Sequence, residues 1–242
     1  MNRALFAAAS GMAAQSSNLE IIAHNLANAG VDGFKGDVAT FAAVEGPDGT
    51  GFGTVLAGSR PSFEPGKLVK SGGAFDVAID GVGFFCVCDG RGRAGLTRAG
   101  SFERAADGSL RNASGWRLTG VRVPADALAL EVGEDGSVVA RTQSGKHACG
   151  AIRLATVDAP ERLHSEDGTI FRATGDAGRV RAVRAGVADG PRILFGTLEQ
   201  SNVSIVEAMM EILAAQRAYE ANAKGVQAAD EMLRIANNLN RG

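Results

Sequence analysis

The sequence predicts an α+β protein with a long helix at each end and a β-rich region between them. All six prolines and 27 of the 33 glycines lie between residues 46 and 196. Both residue types interrupt helices and mark turns. The two end segments instead carry apolar residues at a spacing of seven, which predicts helices with one narrow apolar seam each. Of the 242 residues, 45% are apolar, which is enough for a folded core.

Residues 1–30 are predicted to form the N-terminal helix. The helix is expected to end at Gly30, because glycine readily takes the left-handed conformation that follows many helices. The apolar run after Arg3 is short and the helical periodicity continues beyond it, so no cleaved signal peptide is expected. Its predicted seam consists of Leu5, Met12, Leu19, Ile22 and Leu26.

Residues 31–70 are predicted to be an extended connector, and residues 71–196 a compact, barrel-like antiparallel β domain. Aspartate–glycine pairs between apolar runs are hairpin signals. Such pairs begin at Asp32, Asp80, Asp89, Asp107 and Asp135. So many turns favour short strands over helices in this region.

Residues 197–242 are predicted to hold a second, longer helix. Ser204 and Glu207 have the spacing of a capping box, which marks its start. Its seam consists of Ile205, Ile212, Tyr219, Val226 and Leu233, with alanines three residues further on at Ala208, Ala215, Ala229 and Ala236. The two seams are predicted to pair like a coiled coil, within one chain or between copies, and so to form an assembly interface.

Four side chains offer an alternative chemistry. Cys86, Cys88, His147 and Cys149 form a C-x-C and an H-x-C pattern, which could supply a zinc site or a thiol nucleophile. The competing interpretation is that the cysteines are small buried apolar residues, and no cofactor is expected. A net charge of −2 argues against nucleic acid as the partner, and no apolar run is long enough to span a bilayer.

Three blocks of the sequence resemble the bacterial flagellar rod and hook proteins. The first runs from Ser10-Gly11-Met12 through the stretch 22–28 to Gly33-Phe34-Lys35. The second comprises residues 76–85 and Thr97-Arg98-Ala99-Gly100-Ser101-Phe102. The third comprises residues 198–203 and 216–224. The blocks follow one another in the family's order over nearly the whole chain.

This resemblance implies a structural, non-enzymatic subunit of the flagellar basal-body rod. Such proteins leave the cell through the flagellar type III export apparatus and polymerise across the periplasm into a hollow, torque-transmitting tube. The implied partners are copies of the same chain and other rod and hook proteins, with the terminal helices forming an inner layer. Only residues 36–75 separate the first two blocks, which favours the proximal rod protein FlgF over the distal rod protein FlgG.

Overall fold

The computed structural model describes residues 3–45, 51–188 and 190–239. The chain divides into two compact units. The helical unit comprises Met1–Ala29, Asp37–Arg60 and Val203–Gly242, and the β unit comprises Gly30–Gly36 and Pro61–Asn202. The chain therefore passes between the units at four points, near residues 30, 37, 61 and 203.

Two helices dominate the helical unit. Helix α1 spans Arg3–Ala27 and helix α2 spans Ile205–Leu239. The backbone N–H of Glu207 donates to Ser204 Oγ over 3.3 Å, so the predicted cap at the start of α2 is confirmed.

The end of α1 differs from the prediction. Gly30 does not have a positive φ, and the helix stops at Ala27. Asn28 Nδ2 donates to the carbonyl of His24 over 2.9 Å, and the N–H of Asn28 donates to the carbonyls of His24 and Asn25. These bonds satisfy terminal carbonyls that would otherwise be left unpaired, so no left-handed glycine is needed at this point.

A two-stranded sheet joins α1 in the helical unit. Strands β1 (Asp37–Glu45) and β2 (Gly51–Pro61) lie within the segment predicted to be a connector, of which residues 46–50 fall outside the described residues. Ser10 Oγ accepts from the N–H of Thr54 over 3.2 Å, and the Phe6 and Phe52 rings meet edge to face at 6.2 Å. Gly53 has φ +133° and lies directly against Ser10, where a Cβ atom has no room.

Substitution of Gly53 by valine is therefore expected to detach the sheet from α1. A β-branched residue is strained at this φ, and its Cβ would displace Ser10 Oγ. We expect faster amide hydrogen exchange in residues 51–60, with the β unit unchanged. Gly51→Val is a matched control, because a Cβ there meets nothing within 4 Å. Equal protection of β2 in the two variants would contradict this packing.

The β unit is built from sixteen short strands and two 3-10 turns at Pro160–Arg162 and Gly175–Ala177. The strands are β3 (Leu68–Lys70), β4 (Val77–Asp80), β5 (Phe84–Cys88), β6 (Ala94–Thr97), β7 (Glu103–Arg104), β8 (Leu110–Arg111), β9 (Arg117–Leu118), β10 (Ala129–Val132), β11 (Ser137–Thr142), β12 (Gly145–Ala151), β13 (Leu154–Val157), β14 (His164–Ser165), β15 (Ile170–Arg172), β16 (Val180–Val183), β17 (Arg192–Phe195) and β18 (Thr197–Glu199).

The described strands form open sheets, so the barrel-like prediction was wrong. A nine-stranded sheet has the path β14-β15-β6-β5-β9-β8-β7, with β13 paired to β5 and β16 paired to β13. A three-stranded sheet, β10-β11-β12, and two pairs, β4 with β17 and β3 with β18, complete the unit. Several strands have only two residues, too few to carry hydrogen bonding around a closed barrel.

Strand β5 lies between two cores because its side chains alternate. Phe85 and Val87 belong to the larger cluster, which also contains Trp116, whereas Phe84 packs with Phe171 in the smaller one. Buried side chains on both faces explain why residues 84–88 read as a continuous apolar run. The β unit therefore has its own core.

The aspartate–glycine pairs mark turns, as predicted, and most use a left-handed glycine. The glycines after Asp32, Asp80, Asp107 and Asp135 have positive φ, whereas the turn after Asp89 places it at Gly92. Asp107 Oδ1 accepts from the N–H of Ser109 over 3.1 Å and from its hydroxyl over 2.6 Å. These bonds hold the Asp107 pKa well below its usual range, so the aspartate stabilises the turn while ionised.

Candidate functional site

The pairing of α1 and α2 is the first candidate site, and small side chains lie at its centre. Ala208, Ala215 and Ala229 are at most 4% exposed. The larger seam residues at Ile205 and Tyr219 are 52% and 42% exposed. Alanine allows two helix backbones to approach closely, and on α2 the alanines are more buried than the large residues of the predicted seam.

The helices run antiparallel, as two close contacts demonstrate. A Cβ on Gly11 would lie 2.9 Å from Asn222 Nδ2, and a Cβ on Gly225 would lie 3.7 Å from Ala8 Cβ. A step forward along α1 thus corresponds to a step back along α2. On α2, Asn222 occupies a position of the seven-residue repeat at which the other members are alanine. Gly11 on α1 leaves room for the larger Asn222 amide.

The predicted seam residues are distributed unevenly over this pairing. One apolar cluster brings Leu19, Ile22, Leu26 and Ile212 together with Val203 and two of the alanines. Leu5, Met12 and Val226 are half-buried, and Ile205, Tyr219 and Leu233 are exposed. The side chain of Ala236 lies outside the described part of the structure. Of the ten predicted interface residues, Ile22 alone is buried, six are half-buried and three are exposed, so much of the predicted interface is still accessible in the single chain.

An exposed apolar patch lies on the start of α2 and was missed by the sequence analysis. Val206, Met209, Met210 and Leu213 are each more than half exposed. Their spacing of three and four residues places them on one face of the helix, away from the buried Ala208 and Ala215. Apolar residues at spacings of three and four could have revealed this patch in the sequence. The sequence analysis relied instead on the spacing of seven, which marks the opposite face of α2.

The second candidate site is a buried ion cluster in the β unit. Lys35 Nζ donates to Glu199 Oε1 over 2.6 Å, and Arg98 Nη1 donates to Glu199 Oε2 over 3.2 Å. The Lys35 and Glu199 side chains are each 1% exposed, and that of Arg98 is 10% exposed. Burial lowers the pKa values of Lys35 and Arg98, and the interaction of each with Glu199 opposes that shift.

Backbone groups satisfy the rest of the cluster. Lys35 Nζ also donates to the carbonyl of Glu64 over 2.7 Å, and Arg98 Nη2 donates to that of Gly81 over 2.8 Å. The N–H of Gly66 donates to Glu199 Oε1 over 3.0 Å. Because all three charges are hydrogen-bonded, the cluster can remain ionised inside the unit.

The cluster joins the three sequence blocks described above. Lys35 ends the first block, Arg98 lies in the second, and Glu199 lies in the third. Close by in the chain, Asn202 Oδ1 accepts from the N–H of Gly36 over 2.9 Å, and Asn202 Nδ2 donates to the carbonyl of Ser62 over 2.8 Å. These bonds connect three of the points where the chain enters or leaves the β unit.

A matching clamp occurs in the helical unit. Asn25 Nδ2 donates to the carbonyl of Asp37 over 2.7 Å, and Asn25 Oδ1 accepts from its N–H over 2.9 Å. One side chain on α1 thus satisfies both backbone groups at the first residue of β1. Through these hydrogen bonds, the signature residues Asn25, Lys35, Arg98, Glu199 and Asn202 fix the path of the backbone.

The cysteine and histidine side chains are not assembled into a site. Cys86 packs with the smaller apolar cluster and Cys149 belongs to the larger one, while His147 Nε2 lies 3.1 Å from Ser144 Oγ. Burial raises the pKa of the Cys86 thiol, which disfavours the nucleophilic thiolate. Among residues 3–45, 51–188 and 190–239, no three His, Cys, Asp or Glu side chains are grouped to hold a metal ion.

The sequence analysis predicted that no apolar run of the chain is long enough to span a bilayer. No helix in the described part of the chain combines the length and apolarity needed to cross a membrane.

Family models match the chain in three places. Residues 5–35 match the model described as flagella basal body rod protein. Residues 78–140 match the flagellar hook protein FlgE/F/G D1 domain, and residues 196–239 match the flagellar basal body rod FlgEFG protein C-terminal. The three matches contain the signature blocks in the same order.

Two FlgG relatives match over nearly the whole length of the chain. The flagellar basal-body rod protein FlgG of Borreliella burgdorferi is 35% identical over 264 residues, covering 100% of both chains. FlgG of Agrobacterium fabrum is 33% identical and covers 96% of this chain and 97% of its own. The flagellar hook protein FlgE of Brucella suis is 32% identical over 80% of this chain but only 46% of its own.

These relatives do not support the preference for FlgF, which rested on the short segment 36–75. The alignment with the Borreliella protein has 264 positions, whereas this chain has 242 residues, so a FlgG relative aligns fully despite gaps. Surface segments tolerate such length differences at little cost. With full-length identity of 35% to a rod protein, the chain belongs to the flagellar basal-body rod protein family.

Proposed function

We propose that the protein is a structural subunit of the distal, FlgG-like part of the flagellar rod, and that it has no enzymatic role. The observation that carries the proposal is the full-length likeness to FlgG proteins. The helical unit supplies the physical means, because α2 leaves an apolar surface free for assembly. The chain would function by packing against its neighbours and transmitting force through them.

The exposed surface of α2 supports assembly through the helices. Burial of one Met or Leu side chain stabilises a contact by about 1.5–3 kcal/mol. Four such residues lie side by side at the start of α2, and Ile205 and Tyr219 add to the exposed apolar area. Soluble monomers rarely leave a patch of this kind uncovered.

The same proposal gives the location and the partners. The subunit would lie in the basal body, in the part of the rod that spans the periplasm, next to copies of itself and to other rod and hook proteins. It would leave the cytoplasm through the flagellar type III apparatus. In the rod, α1 and α2 would form a coiled-coil-like inner layer.

Deletion of the gene tests the proposed place in the rod. Basal bodies isolated from the deletion strain are expected to keep a short proximal rod stub and to lack the distal rod, hook and filament when viewed by electron microscopy. The wild-type gene should restore all three. A break next to the inner membrane would favour the FlgF-like position, and basal bodies of normal length would contradict a rod function.

Substitution of Ile212 by aspartate is expected to abolish motility without unfolding the β unit. The side chain belongs to the apolar cluster between α1 and α2, where an unpaired carboxylate is costly. Motility on soft agar measures the loss, and the fluorescence of Trp116 in the β-unit core reports on folding. Lys224→Gln makes the same change in net charge at an exposed position of α2 and should swim normally. Normal swimming of Ile212→Asp would contradict the assembly role of this seam.

A further inference from the structure

In the described residues, the register of the helix pair leaves the end of α2 beyond the start of α1. Gly11 faces Asn222 and Ala8 faces Gly225. Extension of this register places Arg3, where α1 begins, opposite Asp230. In the described structure α2 continues to Leu239, so residues 231–239 run on for about 13 Å. We call these residues the overhang.

The overhang continues the seam that α1 covers elsewhere. Leu233 follows Ile212, Tyr219 and Val226 at the same spacing of seven. Met232 and Leu233 lie three and four residues after the buried Ala229, so they are on the same side of the helix as the seam. Their exposures are 59% and 40%. The surface that holds α1 along α2 is thus repeated at a place where the described chain provides no cover.

A second uncovered apolar surface lies at the other end of the same helix. It is the patch of Val206, Met209, Met210 and Leu213. The overhang and the patch do not overlap, because residues 214–230, about half of α2, lie between them. They also point to different sides, because the patch lies opposite the buried alanines and the overhang lies on their side.

We propose that the overhang of one copy packs against the patch of the next copy, so that the start of the second α2 lies where α1 would continue. This inference rests on the proposed rod function and specifies which segments meet. The occupant is a second copy because the overhang extends an interface that the chain already forms, and because methionine side chains adapt readily to such a helix face.

The arrangement accounts for polymerisation from one chain type. Contact between two different surfaces leaves one overhang and one patch free after each addition. Such a contact generates an open filament unless its rotation closes a ring. Contact of the patch with a second patch would instead bury both surfaces in a closed dimer. The positions of the overhang and the patch at opposite ends of α2 favour the open filament.

The experiment uses the full-length protein with either surface blocked. Met232→Glu/Leu233→Glu blocks the overhang, and Met209→Glu/Leu213→Glu blocks the patch. Arg217→Glu and Lys224→Glu are the matched controls, because each makes the same change in net charge at an exposed site on α2 that lies outside both surfaces. Purified wild-type protein is polymerised at high concentration, and particle length is measured by electron microscopy and sedimentation.

Each blocked variant is expected to remain monomeric alone and to shorten wild-type polymers when added at one part in ten. A mixture of the two variants should give nothing longer than a pair, and the controls should copolymerise at full length. Long polymers from either variant alone, or unshortened wild-type polymers, would overturn the head-to-tail contact while leaving the rod function intact. Failure of the wild-type protein to polymerise would count against both the contact and the polymer-forming function.

Discussion

Removal of the Glu199 carboxylate is expected to destabilise the β unit more than any other single change considered. Glu199→Ala leaves the buried charges of Lys35 and Arg98 without their anion and the N–H of Gly66 without its acceptor. Breaking a buried ion pair by removal of one partner costs about 3–5 kcal/mol. That is a large share of the roughly 5–15 kcal/mol by which domains are stable. Chemical denaturation followed by Trp116 fluorescence measures the loss.

Two further variants separate the ion cluster from other causes. Glu64→Ala removes an exposed carboxylate beside the cluster but leaves the carbonyl that binds Lys35, so its unfolding free energy should stay near that of the wild type. Lys35→Met in the Glu199→Ala background removes one unpaired buried charge and should recover part of the loss. A Glu199→Ala protein within about 0.5 kcal/mol of the wild type would contradict the stabilising role of the cluster.

Substitution of Gly33 by valine is expected to have the second largest effect. Gly33 has φ +70°, and a Cβ there would collide with the backbone of Arg98 and Ala99. Its N–H donates to the carbonyl of Glu199 over 2.6 Å, so a shift of Gly33 would also disturb the ion cluster. Backbone strain of this kind costs about 1–3 kcal/mol before the collision is counted.

Gly30→Val is the matched control for Gly33→Val. A Cβ at Gly30 meets nothing within 4 Å and the residue does not have a positive φ, so its thermal unfolding should stay close to that of the wild type. Gly33→Val should lower the unfolding midpoint of the β unit by several degrees or prevent folding. Equal midpoints in the two variants would contradict the tight packing of Gly33.

The ends of the chain were the most predictable part of the fold. The absence of proline and the spacing of seven identified α1 and α2, and Ser204 marked the start of α2 correctly. The strands in 75–88 followed from aspartate–glycine turns and apolar runs. These signals are local, since each depends on residues that lie close together in the sequence.

Other features were not predictable because they depend on residues far apart in the sequence, or on small side chains whose pattern gives only a weak signal. Lys35 and Glu199 are 164 positions apart, and no periodicity links them. Strands β1 and β2 contain many alanine, glycine and threonine residues, so their alternation was too weak to separate them from a connector. The alanines of the seam have little apolar surface, so the sequence analysis assigned the interface on α2 to larger residues such as Ile205 and Tyr219. These residues are more exposed than the alanines.

The distance along the chain between Lys35 and Glu199 also governs when the protein can fold. Contacts between residues far apart form slowly, because a long loop must close before any stabilisation is gained. Ribosomes add roughly 5–20 residues per second, so Lys35 is made about 10 to 30 seconds before its anion. During that interval β3 and β4 also lack their partners, β18 and β17. Until β17 and β18 are made, the nascent chain therefore cannot complete the β unit, which would keep it open for the export that we propose.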